Sequence, residues 1–100
     1  MSYIILTNKD AFTTETKGEH LEPVETYEYH FFNNVKAKYT IVKVKNDQCK
    51  IKIIDNDNDQ YINHVPLKFF EAFDDVEMAR SELQELIGAE AGDAKLVKVS

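Results

Sequence analysis

The clearest regularity along the chain is an alternation of apolar and polar side chains over Tyr3 to Thr7, Val24 to Phe32, Ala37 to Lys45 and Gln48 to Ile54. That is the spacing of half-buried strands. In the second stretch Tyr27, Tyr29 and Phe31 fall on one face and Thr26, Glu28 and His30 on the other, which assigns one face to the core and the other to water. Asn33-Asn34 and Asn46-Asp47 separate neighbouring stretches, and both use residue types that accept a left-handed backbone in short turns. The expectation is a three-stranded antiparallel meander over residues 24–54. In the mostly polar segment from Asn8 to Pro23, Phe12-Thr13-Thr14 reads as a short strand turning back on the first. Leu96 to Val99 reads as a terminal strand that joins a sheet edge.

The period changes after Pro66. Val76, Ala79, Leu83, Leu86 and Ile87 share one face at helical spacing. Asp74 is the expected N-cap, with Glu77 three residues on to complete a capping box and Phe73 and Met78 in the positions of a hydrophobic staple. Gly88 stands where a helix C′ residue is needed, so the pattern predicts a helix over Asp75 to Ile87. Pro66 suits the first position of a short helical turn, with Phe69, Phe70 and Phe73 spaced to place rings on one side and plug one end of the sheet. The fold class is therefore α+β: a mostly antiparallel sheet of four to six strands, one face covered by the C-terminal helix and the short turn. A small open β-barrel of the same strands is the alternative.

Composition sharpens this picture. One hundred residues, 43% of them hydrophobic and 11% aromatic, with three Gly and two Pro, form one globular domain over residues 1–100 with a genuine core rather than a disordered chain. A single cysteine, Cys49, rules out an internal disulfide, and the chain has no Asn-X-Ser/Thr acceptor. The first seven residues hold only three consecutive aliphatics with no basic residue before them, short of a signal peptide or a membrane span. A cytoplasmic protein away from the membrane is expected.

Charge is polarised along the chain. The net value is −6, but residues 36–52 carry six Lys against Asp47, whereas residues 71–93 carry Arg80 against eight acids. Within the lysine stretch, Lys36, Lys38, Lys43, Lys45, Lys50 and Lys52 lie on two strand candidates beside the aromatic strand, an arrangement used by sheets that bind single-stranded nucleic acid. Against it, the rings fall on the core face, edge lysines also discourage aggregation, and the acidic segment repels phosphates. On the helix, Glu77, Glu82 and Glu85 form an acidic row, an ordinary solvated face or a docking surface for a basic partner.

Other constellations fail on inspection. Asp55, Asp57 and Asp59 match positions 1, 3 and 5 of a calcium loop, but Gln60 stands where Gly is required and Pro66 where a bidentate Glu closes the shell. A solvated loop is the simpler reading, with weak cation binding left open. His20, His30, His64 and Cys49 lack the short spacing of a metal site. Cys49 shares an alternating row with Ile51 and Ile53 and reads as a core residue rather than a nucleophile paired with a His. The chain has no glycine-rich phosphate loop, no nucleophile elbow and no zinc-protease motif. The expectation is a non-enzymatic protein-binding module or accessory subunit without cofactor or metal, docking on a larger protein through Glu77, Glu82, Glu85, Lys43, Lys45, Lys50 and Lys52. A nucleic-acid-binding sheet using the 36–52 lysines is the alternative.

Overall fold

Ile4, Ile5 and Leu6 are consecutive aliphatics, which a strand wet on one side cannot bury. The computed structural model of the chain answers by covering both faces of the strand that carries them. It describes residues 2–16, 18–32, 34–46, 48–58, 61–88 and 94–99, without the side chains of residues 87, 88 and 94. The elements run β1 (Ser2–Asn8), β2 (Phe12–Thr14), β3 (Leu21–Phe31), β4 (Asn34–Val44), β5 (Lys50–Asp55), β6 (Ile62–Pro66), a 3-10 turn (Leu67–Phe69), α1 (Val76–Gly88) and β7 (Ala94–Lys98). They form a four-stranded antiparallel sheet in the order β1-β4-β3-β7 and a three-stranded one in the order β2-β5-β6. The α+β expectation holds, and the described strands close no barrel.

The meander forms only in its first half. β3 and β4 pair, but β1 occupies the other edge of β4, so β5 cannot add there and joins the second sheet instead. From that sheet Ile51 reaches a buried cluster with Ile4, Leu6, Leu21, Val42 and Val44. On the opposite face Ile41 packs with Phe73, Ala79 and Leu83 beneath α1. Adjacent Ile41 and Val42 are both fully buried, one into each layer. Both faces of the larger sheet are thus covered, where one was expected.

The short turn after Pro66 forms, but it does not share a layer with the helix. Leu67 and Phe70 pack against the cluster of Ile51, Phe73 packs under α1, and Phe69 is 70% exposed. The rings therefore divide between two cores and solvent rather than lining one side. Phe73 also exchanges two backbone hydrogen bonds with Tyr3, at 2.9 and 2.8 Å, on the outer edge of β1.

The helix starts one residue later than expected, because its cap is Asp75: the Met78 N–H donates to Asp75 Oδ1 at 2.8 Å. Glu77 is turned to Arg80 instead of back to Asp74, so the capping box does not form. With Asp75 as the cap, the N′ and N4 positions of a staple fall to Asp74 and Ala79 rather than to Phe73 and Met78. Leu86 lies at the margin of the apolar face and is 50% exposed, while the Ile87 side chain lies outside the described residues. Phe32, which precedes the expected Asn33 turn, has a left-handed backbone (φ 52°); Asn33 and Asp47 lie outside the described residues. Among the described residues no helix is long and apolar enough to cross a membrane.

Candidate functional site

The one buried charge in the described structure comes from a change of face along β3. Leu21 stands opposite Val44 and faces the second sheet; a register shift between Pro23 and Glu25 then puts Glu25 opposite Ile41, facing the helix. Its carboxylate, 7% exposed, accepts from Arg80 Nε at 2.8 Å and from Arg80 Nη2. It also accepts from the Tyr27 hydroxyl at 2.7 Å and lies 3.3 Å from Lys98 Nζ. The bidentate Arg80 bond, opposed by burial and helped by Tyr27 and Lys98, lowers the Glu25 pKa to about 2. Burial and the bond to Glu25 raise the Tyr27 phenol, and Glu25 raises the Arg80 guanidinium further.

A carboxyl titrating that low is ionised throughout the neutral range and is a poor general base there. With donors from α1, β3 and β7, it works as a clamp fastening the helix and the last strand to the sheet. Sequence reasoning passed over it, although the signal was present. Glu25 shares the odd-numbered row of Tyr27 and Tyr29, and a charge on a core face requires a partner.

The lysines are divided between the two sheets. Lys43 and Lys45 belong to β4 and its end, Lys50 and Lys52 to β5 in the other sheet. Lys45 pairs with Glu22 at 3.4 Å and Lys52 with Glu15 at 3.8 Å. Tyr27 packs with the cluster under α1 and Tyr29 is buried, so neither ring offers a stacking platform beside these cations.

The acidic row is regrouped rather than dispersed. Glu77 bonds Arg80 Nη1 at 2.7 Å, away from the other two. Glu82 and Glu85 line a groove with Glu71, which lies before the helix and which helical periodicity cannot associate with them. The groove consists of two adjoining depressions of about 190 and 380 Å³ that share Glu71, Phe73 and Glu82. Ile5, Tyr39 and Phe73 line its depth, while Met78 and Leu86, 48% and 50% exposed, form its helix wall. Met78, Glu82 and Leu86 recur every four residues and therefore share a helix face. Among the described residues no cation lines the groove, and Glu71, Glu82 and Glu85 have no ion-pair partner.

The remaining candidates carry less. His20 and Cys49 line one shallow depression with Lys50 and Lys52, while Cys49 also packs against the core cluster. Among the described residues no three His, Cys, Asp or Glu side chains converge as metal ligands. The Asp55 loop has a structural part: Asp55 Oδ1 accepts from the Asp57 and Asn58 amides at 2.8 and 3.3 Å, and Asn56 ties the loop to the β1–β2 turn. Asp59 and Gln60 lie outside the described residues. Comparison of the chain with known protein families, with characterised proteins and with solved structures found no match in any of the three.

Proposed function

We propose that the protein is a non-enzymatic docking module that takes a basic, apolar-anchored segment of a partner protein into the groove between α1 and residues 71–73. The observation that carries this reading is the combination of exposed Met78 and Leu86 with three carboxylates that lack a counter-ion among the described residues. An apolar floor rewards burial of aliphatic side chains in proportion to the area removed from water. The carboxylates select a partner carrying Lys or Arg on either side of those anchors and speed its approach. Each such exposed ion pair contributes up to about 1 kcal/mol and is screened by salt, so the complex is one of moderate, salt-sensitive affinity.

The test is fluorescence anisotropy with a labelled peptide of alternating Leu and Lys. Binding should weaken roughly fivefold in Glu82→Gln and again in Glu85→Gln, and the salt dependence should flatten with each lost charge. Leu86→Glu should weaken it further by placing a charge in the apolar wall. Equal binding by wild type and all three variants would end the reading, because Glu85 and Leu86 are exposed, Glu82 is half-buried and none of the three belongs to the core. Lys50→Glu is the control and should leave the peptide isotherm unchanged.

A further inference from the structure

A second concavity, of about 240 Å³, opens between the β1–β2 turn and the start of β4. Its charge is opposite to that of the protein: Lys9, Lys36 and Lys38 line it against Asp10 alone, in a chain of net charge −6. Lys9 and Lys36 make no ion pair among the described residues, and Lys38 reaches Glu28 only at 3.9 Å. Lys36 is the extra residue of a bulge, since Tyr29 pairs with Ala37 and His30 with Val35. Such irregularities re-aim a side chain out of the regular alternation. Asn8 adds a neutral donor: its Oδ1 is taken by the Thr14 amide, which leaves its side-chain amide hydrogens available.

The turn carrying Lys9 and Asp10 is also held in one shape. Lys9 N–H donates to Phe12 O at 3.0 Å, and Asn56 Nδ2 donates to the carbonyls of Lys9 and Asp10, both at 3.1 Å. The Asn56 amide reaches Ala11 O at 3.1 Å, and Asn56 Oδ1 accepts from the Thr13 hydroxyl at 2.8 Å. An exposed turn pinned by one asparagine from another strand connection has lost its freedom before any ligand arrives. That lowers the ordering cost of binding.

We propose that this pocket binds a compact phosphomonoester dianion. Three ammonium groups against one carboxylate match a group carrying −1.5 to −2 charges near neutrality, and Asn8 supplies a further donor to its oxygens. The volume lies below the roughly 300–1,000 Å³ typical of ligand sites, so the ligand is a phosphoryl group on a small body rather than a nucleotide. Its source is a small phosphorylated metabolite, for which inorganic phosphate is the minimal probe. The pocket shares no lining residue with the acidic groove, so its test stands apart from the docking proposal.

The experiment is a ¹⁵N chemical-shift titration with inorganic phosphate, glycerol phosphate and a single-stranded oligonucleotide, at fixed ionic strength. With the first two, saturable shifts should be confined to the amides of residues 8–13 and 35–38. Lys36→Gln should weaken binding about fivefold and Asp10→Asn should tighten it by a similar factor, since each changes one unit charge at the pocket. Both positions are exposed, so folding is not at stake. Non-saturating shifts spread over all lysines, or shifts unchanged in Lys36→Gln, would overturn the proposal. So would tighter oligonucleotide binding extending to Lys43, Lys45, Lys50 and Lys52, which would transfer the lysines to a nucleic-acid surface.

Discussion

Replacing Arg80 by Met removes the guanidinium while keeping most of the aliphatic stem, and it isolates what the Glu25 clamp contributes to stability. The Glu25 pKa falls from 4.5 to about 2 in the fold. At about 1.4 kcal/mol per unit this corresponds to roughly 3 kcal/mol of preferential stabilisation of the anion. Because the Arg80 side chain is 39% exposed, water screens the pair and replaces part of it when Arg80 is gone. Tyr27 and Lys98 also remain in place. A loss of about 2 kcal/mol at pH 7 is therefore expected, below the 3–5 typical of a fully buried pair losing one member.

The pH dependence separates this cause from lost packing. The folded pKa lies below the unfolded one, so the contribution is complete above about pH 4.5 and is lost as the pH falls from there towards about 2. Urea unfolding of wild type and Arg80→Met, followed by circular dichroism between pH 2.5 and 7, reads the difference directly, with other carboxylates cancelling between the two proteins. The gap should be widest at neutral pH and shrink below pH 4. A gap that stayed constant across this range would refute the electrostatic account and leave Arg80 as a packing residue.

Five further substitutions probe the helix packing, the helix cap and the pinned turn separately. Leu83→Ala, at a fully buried position between α1 and the larger sheet, should cost about 2–5 kcal/mol in denaturant unfolding, whereas Leu86→Ala should stay within about 0.5. Asp75→Ala should cost about 1 kcal/mol by removing the bond to the Met78 amide, and Asp74→Ala almost nothing; equal losses would return the cap to Asp74. Asn56→Ala should speed hydrogen exchange at the Lys9 amide, which bonds Phe12 within the pinned turn, while leaving exchange at Ile41 unchanged.

What could be read in advance depended on whether a residue's setting is local. The helix, the β3–β4 hairpin and the terminal strand follow from periodicity within a dozen residues, and they stand where the pattern puts them with ends shifted by up to three residues. The partner of β5 is not local information: Gln48 to Ile54 alternates equally well beside β4 or beside β2, and competition from β1 for one edge decides it. β6 escaped because Ile62, Asn63 and His64 are all exposed in a strand that is an outer edge, so no apolar row marks it. The same limit applies to the groove. Glu82 and Glu85 are legible as one helix face, but Glu71 joins them only because Phe73 is stapled to the edge of β1.

The groove and the basic pocket are two consequences of one alternation. In the β1–β4 ladder the rung Thr7–Tyr39 turns to the helix side and lines the acidic groove, while the next rung, Asn8–Lys38, turns the other way and lines the pocket. Successive side chains of a strand point to opposite faces, so a paired backbone separates the two sets of charges. Even at about 10 Å two unit charges interact by only about 0.4 kcal/mol in water, before salt screens them over a comparable length. Stronger coupling between ligands on the two faces would require the ladder to shift, and a shift of one residue would turn every side chain over and exchange the two surfaces. Peptide isotherms measured with and without saturating phosphate at constant ionic strength should therefore agree within about threefold. A larger separation would mean that one ligand rearranges the β1–β4 register rather than merely acting through its charge.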